Sequence, residues 1–117
     1  MSPAWRQARA WLLPALAPGD GGEAELIAEL AAGDAQLWLG EQGAIVTQRI
    51  EEDGGPVLHV WLAGGRLAGV MALRAGIEAW ARGQDCIAIT IDGRAGWSRL
   101  LRSHGYAAQG GELRRRL

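Results

Sequence analysis

The chain has no phenylalanine, one tyrosine and one cysteine, and although it carries twelve basic residues none is lysine; asparagine is missing too. A single cysteine, Cys86, excludes an internal disulfide framework and a thiolate metal cluster. It opens an apolar segment and reads as a buried, inert thiol. Two histidines, His59 and His104, are too few for an imidazole ligand set, so no metal is expected. No apolar run approaches the roughly 18 residues that a membrane-crossing helix needs. No basic segment followed by an apolar run opens the chain, so no membrane partner is expected and the cytoplasm is the expected compartment. A net charge of −1 offers nucleic acid no general attraction, and a nucleic-acid partner is not expected. An all-arginine basic set beside eighteen glycines reads as the signature of a GC-rich genome rather than of a function.

What is present fits one folded unit. With 117 residues, 49% of them apolar and 21% charged, residues 1–117 form a single domain with one core. In the absence of phenylalanine, the six tryptophans must supply the large core volume. Trp38 and Trp61, exposed together, would instead form an aromatic patch for a partner.

Taken in order, Ser2-Pro3 starts a helix that carries Trp5, Ala8 and Leu12 on one face and ends near Pro14. Glu23 begins a second short helix that Gly33 stops. Period-two alternation then predicts two antiparallel strands joined near Glu41-Gln42. Glu51 to Pro56 reads as a solvated acidic turn, and Val57 to Leu62 as a strand with both faces covered. After Gly64-Gly65 the period returns to that of a helix, with Leu67, Val70, Met71 and Ile77 inward and Arg66, Arg74, Glu78 and Arg82 outward. Cys86 to Ile91 is a fourth strand, and Trp97, Leu100 and Leu101 line a helix ending at Gly105. Tyr106 to Leu117 adds a last strand, with Gly110-Gly111 as a turn or bulge and Arg114-Arg115-Arg116 as a solvated end. The order predicts an α/β fold with a mixed, strongly twisted sheet and flanking helices.

The segments G-D-A-Q-L-W-L-G, A-I-V-T and D-G-R-A-G-W-S-R-L-L-R-S-H-G-Y, with the helix end I-E-A-W-A-R-G and the strand C-I-A-I-T-I, resemble the GNAT (Gcn5-related N-acetyltransferase) fold. They look most like the small GNAT-like proteins of phage and prophage gene clusters, over roughly Gly33 to Leu117. The resemblance implies an acetyl-CoA site at Leu62, Ala63, Arg66, Ala68 and Gly69, where glycine lets phosphates approach backbone N–H groups closely. Arg66 and Gly69 match the family's loop, but Met71 stands where a small residue belongs. The family's proton-donating tyrosine falls at Leu101, which cannot donate, and its frequent asparagine falls at Arg94. No catalytic residue is therefore assigned. Glu51, Glu52 or His59 could serve as a base, although His59 reads more simply as a hydrogen-bonded or half-exposed strand residue facing the other side of the sheet. The Gly93-to-Trp97 loop, ahead of a helix, has an anion-binding and a purely structural reading.

Two functions from different classes follow. The first is a GNAT-like protein with a degenerate acetyl-CoA motif that acts by binding an unidentified protein partner. The second is an active N-acetyltransferase with non-standard groups and an amine acceptor, in which strand N–H groups near Leu62 polarise the thioester carbonyl. A DNA-contacting accessory role is a third reading, which the near-zero net charge disfavours.

Overall fold

Pro3, whose missing N–H costs nothing in a first helical turn, opens helix α1 (Pro3–Leu12) in the computed structural model, which describes residues 3–92 and 95–117, with backbone only over 95–97. Pro14 cannot continue that helix, and the chain tightens into a 3-10 turn over Leu13–Ala15. Helix α2 (Gly22–Ala32) stops at Gly33, whose φ of 82° lies in the left-handed region open to glycine. The strands β1 (Ala35–Leu39), β2 (Gly43–Glu52) and β3 (Gly55–Gly65) follow as a meander. The predicted single helix after Gly65 is two: α3 (Leu67–Ala72) and α4 (Arg74–Gly83). They meet at Leu73, whose N–H bonds the Val70 carbonyl three residues back rather than four. Strand β4 (Ala88–Asp92), helix α5 (Ala95–Arg102) and the hairpin β5 (Ala107–Gln109) and β6 (Glu112–Arg116) complete the chain.

The six strands form one sheet in the order β1-β2-β3-β4-β6-β5. Every neighbouring pair is antiparallel except β3 and β4, which are parallel and joined by the α3–α4 crossover. The α/β class with a mixed sheet and flanking helices thus stands. Each face of the sheet has its own apolar cluster. On one, Ile45, Leu58, Val60, Ile89 and Leu113 pack against Val70, Ile77, Ala81 and Leu101 from α3, α4 and α5. On the other, Ala44, Val46 and Leu62 pack under Trp5, Ala8, Leu12 and Leu26 from α1 and α2.

One irregularity shapes the sheet. Val46 of β2 lies opposite Leu62 but the next residue, Thr47, lies opposite Val60, so Trp61 is an extra residue in β3. Val60 and Leu62 would share a face in a regular strand; the bulge turns them into opposite clusters. Beyond the bulge β3 leaves its parallel neighbour. The β3–β4 pairing ends at Val60–Ile91, while β3 runs on to Gly65.

Several sequence expectations change. Trp38 and Trp61 form no common patch, because they pack on opposite faces of the sheet. Trp38 meets Trp80 edge to face, with ring centres 5.7 Å apart. Leu67 is exposed rather than inward, whereas Glu78, expected outside, is buried. Gly110-Gly111 takes the turn of its two expected readings, between β5 and β6, whereas the three terminal arginines belong to β6 instead of a loose tail. Glu51 and Glu52 are strand residues paired with Pro56 and Gly55. Ser2, Gly93 and Arg94 lie outside the described residues, and with them the helix-cap reading of Ser2 and much of the anion-loop reading.

The glycines separate into required and replaceable ones. A side chain on Gly64 would place its Cβ 2.0 Å from the Trp11 carbonyl oxygen, so α1 seats directly on the β3 backbone there. Gly76, inside α4, has nothing within 4 Å of that position. Gly64→Ala is therefore expected to push α1 off the sheet and destabilise by about 3 kcal/mol. Gly76→Ala should stabilise by roughly 0.5–1 kcal/mol, since it replaces the most flexible residue within a helix. Chemical denaturation of both variants measures the two opposite signs.

Candidate functional site

The separation of β3 from β4 opens a cleft. Its lining runs from Val60, Trp61, Leu62 and Ala63 of β3 across to Ile89, Ile91 and Asp92 of β4. Val70 and Met71 of α3, Arg74 and Ile77 of α4, Leu101 of α5 and Tyr106 close its inner side, and Ala15 reaches it from the turn after α1. Its cavity volume is about 80 Å³, small beside the roughly 300–1,000 Å³ of typical small-molecule sites. The β3 backbone past Val60 borders this space without β4 as a partner, so main-chain polar groups at that edge face the cleft. The cleft is mostly aliphatic. Its titratable side chains are Arg74, Asp92 and Tyr106.

Behind the inner wall sits a charged network. The buried Glu78 carboxylate accepts hydrogen bonds from the Tyr106 hydroxyl at 2.8 Å, from Arg74 Nη1 at 2.7 Å and from Arg115 Nη1 at 2.6 Å. The Arg74–Glu78 pair follows from helical spacing, one turn apart on α4. Arg115 and Tyr106 arrive from the C-terminal hairpin and the segment before it, far away in the chain. Burial on its own would raise the Glu78 carboxyl, but the bonds from Tyr106 and Arg74 and the charges of Arg115 and Arg74 outweigh it and hold the group below its ordinary value. Tyr106 is pushed well above the usual phenol value, by burial first and then by the Glu78 carboxylate it faces. It therefore stays protonated and committed to Glu78. The Nε of Arg74 is buried with no hydrogen-bond partner.

The sequence-derived candidates divide between the cleft and its surroundings. Leu62 and Ala63 line the cleft, and so do Met71 and Leu101. Arg66, Ala68 and Gly69 lie beside it at the start of α3; Arg66 is exposed and its N–H donates to the Gln42 carbonyl. A Cβ on Gly69 would come within 2.9 Å of the Gln42 backbone, so this glycine makes room for the β1–β2 turn. Glu51 and Glu52, at the end of β2, pair with Pro56 and Gly55 at the far end of β3 from the cleft, four and five residues before Val60, roughly 13 Å or farther at strand rise. They are bonded to Arg49 and Arg114. His59 is half-buried away from the cleft lining, with Nδ1 2.8 Å from the Thr90 hydroxyl, in keeping with a hydrogen-bonded strand residue on the far side of the sheet. Cys86 is buried, and burial raises its thiol above the ordinary value. Among the described residues no group of histidine, cysteine and carboxylate side chains could hold a metal ion. No helix is long and apolar enough to cross a membrane among the described residues.

Sequence reasoning missed Arg74, Glu78, Asp92 and Tyr106 as parts of one site. A glutamate one turn after an arginine, in a helix otherwise rich in alanine, was the only signal available, and surface pairs share that spacing.

Two outcomes follow. Because the folded Glu78 carboxyl lies below its unfolded value of 4.5, its contribution to stability is present above that pH and lost as pH falls through the lower folded value. The melting temperature should drop along that acid limb, and Glu78→Gln should flatten the limb while costing about 3–5 kcal/mol near neutrality, since it strands two guanidinium groups. Gly69→Val should lower the melting temperature in ligand-free protein, because the added methyls meet Gln42. No known family model matches the chain, and neither does any curated protein.

Proposed function

We propose that the chain is a GNAT-like domain of the phage and prophage type, whose β3–β4 cleft receives the acyl-pantetheine arm of acetyl-CoA and which acts as a binding module toward a protein partner. The observation that supports this reading is that β3 runs on past its last pair with β4, Val60–Ile91, beside a cleft that the Trp61 bulge also lines. An extended, amide-bearing arm fits such an opening, because the main-chain edge of β3 can pair with it as a strand would. Leu62 and Ala63 supply that edge, and Val70, Met71 and Ile91 the apolar walls. Arg66, exposed at the start of α3, would meet phosphate, while Gly69 serves the packing of Gln42. A fold is shared among many activities, so the chemistry rests on the cleft alone.

The cleft favours binding over transfer. Leu101 occupies the position where a phenol would protonate a leaving thiolate, and the phenol that does line the cleft, Tyr106, donates to Glu78. One feature favours acyl transfer as a second reading: the exposed carboxylate of Asp92 on the cleft wall. In that mechanism Asp92 would take a proton as the acceptor amine attacks the thioester carbonyl, the C–S bond would break, and solvent would protonate the thiolate.

Calorimetric titration with acetyl-CoA and CoA decides between an acyl-CoA cleft and an empty groove. Micromolar binding is expected, weakened at least tenfold by Ile91→Trp, which fills the cleft from its partly exposed wall. No heat at millimolar ligand would overturn the reading. An amine-acceptor screen in the same protein separates the two versions: turnover that Asp92→Asn abolishes would establish transfer, and binding without turnover would establish the module.

A further inference from the structure

The network at the inner wall is unbalanced. Two guanidinium groups, Arg74 and Arg115, share the single carboxylate of Glu78, and Tyr106 is neutral, so one positive charge is left over. Neither arginine is a solvated surface group: about a quarter of each side chain is exposed, 23% for Arg74 and 26% for Arg115. A surplus charge in so apolar a setting is costly unless an anion comes to it. Arg74 is the one of the two that lines the cleft, its ion pair runs through Nη1, and its Nε has no partner. The other charged side chain in the lining, Asp92, makes no ion pair with it among the described residues.

The rest of the lining narrows the ligand. Ile89, Ile91, Met71, Ile77 and Leu101 share the lining with Arg74, and their aliphatic walls suit a short aliphatic body. A ligand that fits both is apolar along its length and anionic at its inner tip. A carboxylate matches best, since its two oxygens can accept paired N–H donors from one guanidinium and its single negative charge equals the surplus.

We infer that Arg74 is an anion-recognising residue of the cleft and that the preferred ligand ends in a carboxylate, as a short dicarboxylic acyl group does. The inference deepens the acyl-CoA reading given above and rests on it for the body of the ligand, while the carboxylate itself could also arrive as a free small acid. Arg74 would hold the terminal carboxylate through its unpartnered edge, with Glu78 keeping the guanidinium in place and Arg115 adding to the local positive potential. The acetyl group lacks that tip and would leave the charge unmet.

The test titrates acetyl-CoA, succinyl-CoA and free succinate into the full chain, with Arg74→Gln and Arg74→Lys as variants and thermal melting as the control for folding. Wild-type protein is expected to bind succinyl-CoA at least tenfold tighter than acetyl-CoA. Arg74→Gln should bring that ratio within twofold, and Arg74→Lys should restore part of it. Equal affinity of the wild type for the two thioesters overturns the inference and leaves the acyl-CoA cleft standing, a comparison that needs no variant. Binding of succinate alone, abolished by Arg74→Gln, supports the carboxylate site and overturns the acyl-CoA reading. Absence of binding by all three overturns both.

Discussion

The extra residue at Trp61 is the constraint on which the cleft depends. A strand of regular period two would have sent Val60 and Leu62 into the same cluster. With one residue inserted, β3 bends, Trp61 and Leu62 both pack under α1 and α2, and Ala63 turns back toward α3. The parallel pairing stops at Val60–Ile91, and the space that opens is the cleft. Gly64 then lets Trp11 press against the β3 backbone from the α1 side, and Gly65, at φ 113°, lets the chain turn over Gln42 into α3. The bulge, two glycines and a helix start thus act together to hold one gap in a continuous sheet.

The inner end of that gap is fixed by charge rather than by apolar packing. Glu78 ties α4 to the C-terminal hairpin through Arg115 and to the segment before it through Tyr106. A buried carboxylate with three donors is well satisfied, and the low dielectric around it strengthens each bond. The same arrangement leaves its arginines partly unmet, which is unfavourable for a purely structural device and useful for a binding site.

Much of the architecture was legible in the chain itself. The proline at the start of α1, the glycine after α2, the return of helical period beyond Gly65 and the β-branched run at β4 each act within a few residues of where they stand, so local patterning reports them. Leu62 and Ala63, named in the sequence only through the family resemblance, line the cleft. What local patterning misjudged shares a common trait. Leu67 and Glu78 were sorted by helical position alone, yet the helix breaks at Leu73, and Tyr106 and Arg115 reach Glu78 from outside α4. The terminal arginines looked like a solvated tail because nothing nearby in sequence reveals that β4 offers them an open edge.

The sequence by itself determined the elements, their order and the mixed α/β class, since hydrophobic period, proline and glycine act on the chain over short range. Only the tertiary structure decided that Arg74, Glu78, Tyr106 and Arg115 meet, that Trp61 is supernumerary, and that Glu51, Glu52 and His59 lie away from the cleft. Those outcomes depend on strand register and on contacts between residues as far apart as Glu78 and Arg115, and register is set by how whole faces pack rather than by any one residue's preference.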